Sequence, residues 1–169
     1  MGVAVAAAAA AYTDVTRGRI PNALVVMLLA FGLTLRAHDG AQAFFVSLGL
    51  GVLVFWAGAA LFSLRLIGGG DVKFVAAAAA ALGWPDALTF ILYTVLAGGV
   101  LGIIVGLLRG KLRAVARNVW AFALPLFAGM RPVQPFSTAG KMPYALAILA
   151  GAAALALGNI FALHLRIPS

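Results

Sequence analysis

AQAFFVSLGLGVLVFWAGAALFSL, residues 41–64, carries no charged side chain, and Arg65 closes it. About 20 apolar residues in a helix cross the ~30 Å hydrocarbon core of a bilayer, so this stretch predicts a membrane-spanning helix. Residues 87–108 repeat the pattern, with no charge before Arg109. The composition agrees. Hydrophobic residues make up 64% of the 169 and charged residues 9%, with a mean hydropathy of +1.11. Soluble domains run near half apolar and about a quarter charged, and a 17.3 kDa chain has too little interior to hide this much apolar surface. Lipid is expected to cover the remainder.

On the N-terminal side of this stretch, Gly2–Tyr12 is too short to span unless its helix continues through Asp14 to about Thr16. It has no positive leading region and runs straight into Asp14, which argues for a first membrane helix over a cleaved signal peptide. A basic turn, Arg17-Gly18-Arg19, precedes Ile20-Pro21-Asn22. Pro21 fits the first turn of a second helix, where its missing N–H costs nothing. That helix runs to about Leu35 and ends at Arg36-Ala37-His38-Asp39-Gly40.

On the C-terminal side, Gly68-Gly69-Gly70-Asp71 leads into a short alanine-rich helix, Val72–Leu82, which Gly83-Trp84-Pro85-Asp86 ends. After the 87–108 helix, Arg109, Lys111, Arg113 and Arg117 crowd together ahead of Trp120 and Pro125. Residues 109–141 therefore read as a basic interfacial or cytoplasmic loop. A last helix begins near Pro143 and ends before His164. The expected fold is a single all-α domain over residues 1–169, a polytopic membrane bundle of six transmembrane helices.

Charge orients that bundle. Segments 17–19, 65–73 and 109–141, placed on the cytoplasmic side, hold ten of the 12 Lys and Arg; only Arg36 and Arg166 fall on the other. This is the bias of positive-inside topology, and it puts both termini outside. The formal charge of +8 thus marks topology, not nucleic-acid binding, because the basic residues lie between apolar segments. With no cysteine, disulfides, thiolate metal sites and cysteine nucleophiles are excluded. His38 and His164 fall outward and do not assemble a metal site. Trp56, Trp84 and Trp120 read as interface anchors or lipid-facing side chains. Gly98, Gly102 and Gly106 have the spacing of close helix packing, within the bundle or in a homodimer.

Four acids remain: Asp14, Asp39, Asp71 and Asp86, with no glutamate. Asp39 and Asp86 lie in outward turns and read as solvated residues or helix caps. Asp14 and Asp71 share the cytoplasmic edge of membrane helices, where an acid is expensive and calls for a function. Two plain structural roles stand beside that one. Asp71 can N-cap the fourth helix, and Asp14 can pair with Arg17 at i+3. If the two carboxylates meet, like-charge repulsion leaves the pair sharing one proton. The ionised member can then take a proton from water while the protonated one hydrogen-bonds a scissile carbonyl, an aspartic peptidase arrangement that needs neither metal nor cofactor. Gly68-Gly69-Gly70 would let a substrate backbone approach Asp71, or form a plain turn. No Gly-Lys-Ser/Thr ending makes it a nucleotide loop.

Three stretches together resemble the type IV prepilin peptidases, in the short form similar to the CpaA/TadV group of tight-adherence pili. Asp14 with Arg17, Arg19 and Ile20-Pro21-Asn22 resembles the first catalytic aspartate and its IPN sequel. Gly68-Gly69-Gly70-Asp71-Val72-Lys73 matches GxGD and its following lysine. Pro143-Tyr144-Ala145-Leu146-Ala147-Ile148 resembles PYGxAI, with Ala145 in place of glycine. The resemblance implies Asp14 and Asp71 as catalytic, with Gly68, Gly70, Lys73, Pro21, Asn22, Pro143 and Tyr144 in support. It further implies cleavage of the positively charged leader of prepilin or pseudopilin substrates at the cytoplasmic face of a bacterial inner membrane. Long members also methylate the new N-terminus through a region with paired CxxC motifs. This chain has no cysteine and no room for that region before Asp14, so protease activity alone is expected. Archaeal preflagellin peptidases share the aspartate pattern. Lys73, Arg17 and Arg19 can instead meet lipid phosphate, and Asn22 can cap the second helix. A small transporter, or an inactive scaffold, is the competing class; carriers place their acids nearer the midplane, in broken helices from internal repeats, and no repeat is evident.

Overall fold

The computed structural model describes residues 2–63, 67–108, 110 and 144–165, and among these every regular element is helical. The six helices are α1 (Gly2–Arg17), α2 (Asn22–His38), α3 (Ala41–Ser63), α4 (Gly69–Leu82), α5 (Asp86–Leu108) and α6 (Tyr144–Leu165). Apart from Gly110, the expected loop at 109–141, together with Arg65 and Pro143, lies outside the described residues. The chain divides into two compact units, residues 1–98 with 143–169, and residues 99–142. The first holds the functional candidates.

Alanine, the best helix former, fills α1 and the second half of α4. Gly18 ends α1 in the left-handed region at φ 66°, where its N–H donates to the carbonyl of Asp14 at 2.8 Å. Only glycine takes that conformation without steric cost. The most enclosed helix is α4, in which Val72, Phe74 and Ala76 to Ala80 are all buried. Glycines on its neighbours let it be enclosed. A Cβ at Gly32 of α2 would fall on Ala81, at Gly51 of α3 within 2.7 Å of the Ala80 methyl, and at Gly58 within 2.7 Å of Val72. Small-on-small contact brings helices close where lipid gives no hydrophobic drive to associate. Phe74 reaches the other way, into a core with Ala7 and Ala10 of α1, Ile20, Leu28, Phe90 and Ile148.

By length and composition, two helices among the described residues are long and apolar enough to cross a membrane: α3, and α5 over Asp86–Val105. Both are mostly exposed, with Phe45, Leu53, Trp56, Leu92, Val95 and Val100 each at least half uncovered. A soluble core helix would be buried. The apolar parts of α2 and α6 (Asn22–His38 and Ala145–Asn159) are shorter. At 1.5 Å per residue, α1 and α4 extend only about 24 and 21 Å, short of a ~30 Å core. Two spans, not six, therefore stand on length and composition.

Element boundaries shift in two places that matter. Helical geometry in α4 begins at Gly69 rather than Val72, which takes Asp71 inside the first turn. The last helix continues through His164 to Leu165.

Candidate active site

Asp14 stands one turn before the C-terminus of α1, and Asp71 in the first turn of α4 ahead of the apolar run from Val72. The Ile20-Pro21-Asn22 connection brings the two helix ends together. Ile20 is buried, and a Cβ at Gly70 would lie 3.6 Å from its Cβ. The C-terminal end of α1 and the N-terminal end of α4 thus meet through that connection.

Burial pushes the Asp71 carboxyl up from 3.8 to about 6, and the negative charge of Asp14 adds to the rise; the backbone at Gly68 opposes it by a hydrogen bond. Desolvation and a nearby like charge both disfavour the ionised form. The two acids, 57 positions apart in sequence, are therefore near enough to feel one another.

Neither plain structural role holds as read, although Asp71 still serves the N-terminus of α4 by accepting a hydrogen bond from the Gly68 backbone. The N-cap of α4 is Gly68, not Asp71. Among the described residues the one ion pair joins Arg36 and Asp39 at 3.2 Å, so Asp14 is not spent on Arg17. The hydroxyls beside Asp14 turn back into their own helix. Thr13 donates to the carbonyls of Ala9 and Ala10, and Thr16 to that of Tyr12.

The glycine triplet serves space, not backbone strain. Gly68 is extended, at φ −76° and ψ 144°, a conformation open to any residue. A Cβ at Gly68 would lie 2.7 Å from Asp71 Oδ2, so any side chain there would turn the carboxylate from its present position. Gly69 lies against the Phe62 ring, at 3.3 Å from its would-be Cβ. At Gly70 a Cβ would make only ordinary contact with Ile20, at 3.6 Å.

Of the other supporting candidates, Pro21 is the N-cap of α2 without a side-chain cap, so Asn22 does not cap that helix. Lys73 is exposed and, at i+2, points about 200° around the helix from Asp71. Pro143 and the Tyr144 side chain lie outside the described residues, while Ala145 and Ile148 just beyond them are fully buried. Asp39, read as a solvated turn residue or cap, is exposed and is the C-cap residue of α2, where its carboxylate also pairs with Arg36 at 3.2 Å. Nothing in the sequence marked the further contact of Arg36 with the last carbonyls of α4, since it depends on where α4 ends. No group of three His or Asp side chains gathers as a metal set among the described residues.

The chain matches the model of the type IV leader peptidase family over residues 1–103, a stretch that contains both aspartates, the Ile20-Pro21-Asn22 connection and the glycine triplet. No curated protein matches, and no solved structure matches. The match covers well over half of the 169 residues, and the chain belongs to the type IV leader peptidase family.

Proposed function

We propose that the chain is an aspartic endopeptidase in which Asp14 and Asp71 form the reacting pair, cutting the leader from prepilin-like substrates. The observation that carries this reading is the meeting of the α1 and α4 ends at Ile20 and Gly70, which sets a buried Asp71 within reach of the negative charge of Asp14. Protonated Asp71 then hydrogen-bonds the scissile carbonyl. Asp14, as general base, takes a proton from the attacking water, and a tetrahedral intermediate forms without a metal or a covalent enzyme adduct. Gly68, Gly69 and Gly70 leave the approach to Asp71 free of side chains.

The charge bias of the loops supports a multi-pass topology in the bacterial inner membrane, with six helices inserted and the aspartates at the cytoplasmic edge. The shorter helices would then lie within the bundle with local thinning of the bilayer. The absence of cysteine supports cleavage without methylation. The motifs at Asp14, Asp71 and Pro143 favour the CpaA/TadV-like short form and a tight-adherence prepilin or pseudopilin as substrate.

Separate Asp14→Asn and Asp71→Asn variants, inserted in membranes at normal levels, should each lose about 10²–10⁴-fold in cleavage of a leader-bearing prepilin. Retained cleavage by either variant would sink the paired mechanism. Product mass in the same assay reports the cut position, and an added methyl group would refute the protease-only reading.

A further inference from the structure

Arg36, in the last turn of α2, reaches the end of α4 opposite Asp71. Its Nε donates to the Ala81 carbonyl at 3.2 Å, its Nη2 donates to the Leu82 carbonyl, and its Nη1 donates to Asp39 Oδ2 at 3.2 Å. The last carbonyls of a helix have no partner within it, and a cation there also meets the negative end of the helix dipole. Gly83, at φ 66°, takes the chain out of α4 against the same group. A Cβ at Gly83 would come within 3.2 Å of Arg36 Nε and 2.7 Å of the hydroxyl of buried Ser47 on α3. The C-terminus of α4 is thus enclosed by polar groups from both helices that flank it.

The packing along this half of α4 explains why such a clamp matters. From Ala76 to Ala81 the helix offers only methyl groups, answered by Gly32 and Gly51. That surface permits close approach but seats no large side chain in a socket, so little apolar shape resists a slide along the helix axis. The larger buried side chains, Val72 and Phe74, sit in the other half.

We infer that Arg36 is a positioning residue: by holding the Ala81 and Leu82 carbonyls it fixes the axial setting of α4, and so the depth at which Asp71 stands relative to Asp14. The effect travels along roughly 17 Å of helix, at 1.5 Å per residue. Its catalytic consequence rests on the aspartate pair proposed above; the helix setting itself does not.

The cysteine-free chain allows that setting to be read without activity. Ile20 Cβ lies 3.6 Å from a Cβ built at Gly70, inside the Cβ separation of about 3.5–4.5 Å that a disulfide needs. In purified, monodisperse protein, an Ile20→Cys/Gly70→Cys pair should close readily under mild oxidation. Adding Arg36→Ala should slow closure about tenfold. Arg36→Lys should fall between, because one ammonium cannot reproduce the planar fork to two carbonyls and Asp39. In the chain without added cysteines, Arg36→Ala should lower kcat about tenfold while KM stays within about twofold, as misplacement of a reacting group does.

If Arg36→Ala does not give monodisperse protein, Arg36→Lys decides, and closure at the wild-type rate overturns the proposal. Unchanged closure with reduced kcat overturns it as well. Slowed closure with full kcat overturns the catalytic consequence. Slowed closure in a chain whose Asp14→Asn and Asp71→Asn variants still cleave supports the helix setting and rejects the aspartate pair.

Discussion

At the scale of single residues, the chemistry turns on one carboxyl being harder to ionise than an ordinary one. Asp71 is raised to about 6 first by burial and then by Asp14. The sign follows directly. The folded protein holds a proton that the unfolded chain, with an ordinary carboxylate, releases. This contribution to stability is complete below the unfolded value of 3.8 and is lost as pH rises through about 6. A hydrophobic carbodiimide attacks the protonated form, so modification of Asp71, followed by peptide mass, should decline with a midpoint near pH 6. Asp14→Asn removes the second cause and leaves the first, so the midpoint should fall but stay above 3.8. A midpoint unmoved by Asp14→Asn would mean that the two carboxylates do not sense each other. Gly68 belongs to the same scale. Its value lies in the missing Cβ beside Asp71 Oδ2, not in a strained backbone, which the letters of the sequence could not distinguish.

At the scale of elements, α4 is an alanine helix held in a glycine-lined groove, and the groove has two kinds of glycine. Gly51 faces α4, where a Cβ would come within 2.7 Å of the Ala80 methyl and 3.3 Å of the Ala76 carbonyl; Gly49, two residues earlier on α3, faces open space. Overpacking a tight contact costs about 1–3 kcal/mol, whereas glycine to alanine on an open helix face gains up to about 1 kcal/mol. Gly51→Ala should accordingly lower resistance to unfolding in a detergent titration, while Gly49→Ala leaves it unchanged or raises it. Equal effects would show that α3 does not pack on α4 through this face. All six helices were legible as apolar or alanine-rich runs between glycine, proline and charged breaks. Their ends were less so. Asp71 read as the cap of a helix starting at Val72, because Gly69 and Gly70 are poor helix formers; in the structure both are part of α4, against Phe62 and Ile20.

At the scale of the whole molecule, the arrangement of charge and exposed apolar surface argues for a lipid environment. Thr16 and His38 are both exposed and lie at opposite ends of the expected topology, near Asp14 and beyond α2 respectively. In single-cysteine variants, an impermeant thiol reagent added to intact cells should label His38→Cys and spare Thr16→Cys until the membrane is opened. The reverse pattern would overturn the orientation, and with it a cytoplasmic site for cleavage.

The sequence by itself determined the helical class, the apolar stretches and the two suspicious acids, because apolar run length and the cost of an acid beside lipid are local properties. It also carried the motifs by which the family is recognised. Only the tertiary structure decided that the helix ends bearing Asp14 and Asp71 meet at Ile20 and Gly70, and that Arg36 closes the far end of α4. Those are contacts between segments distant in the chain, and they follow from how closely small residues let α4 approach its neighbours. The charge-free stretch from Ala41 announces a membrane helix on its own; that Gly51 and Gly58 within it cradle the helix bearing Asp71 appears only once the helices pack.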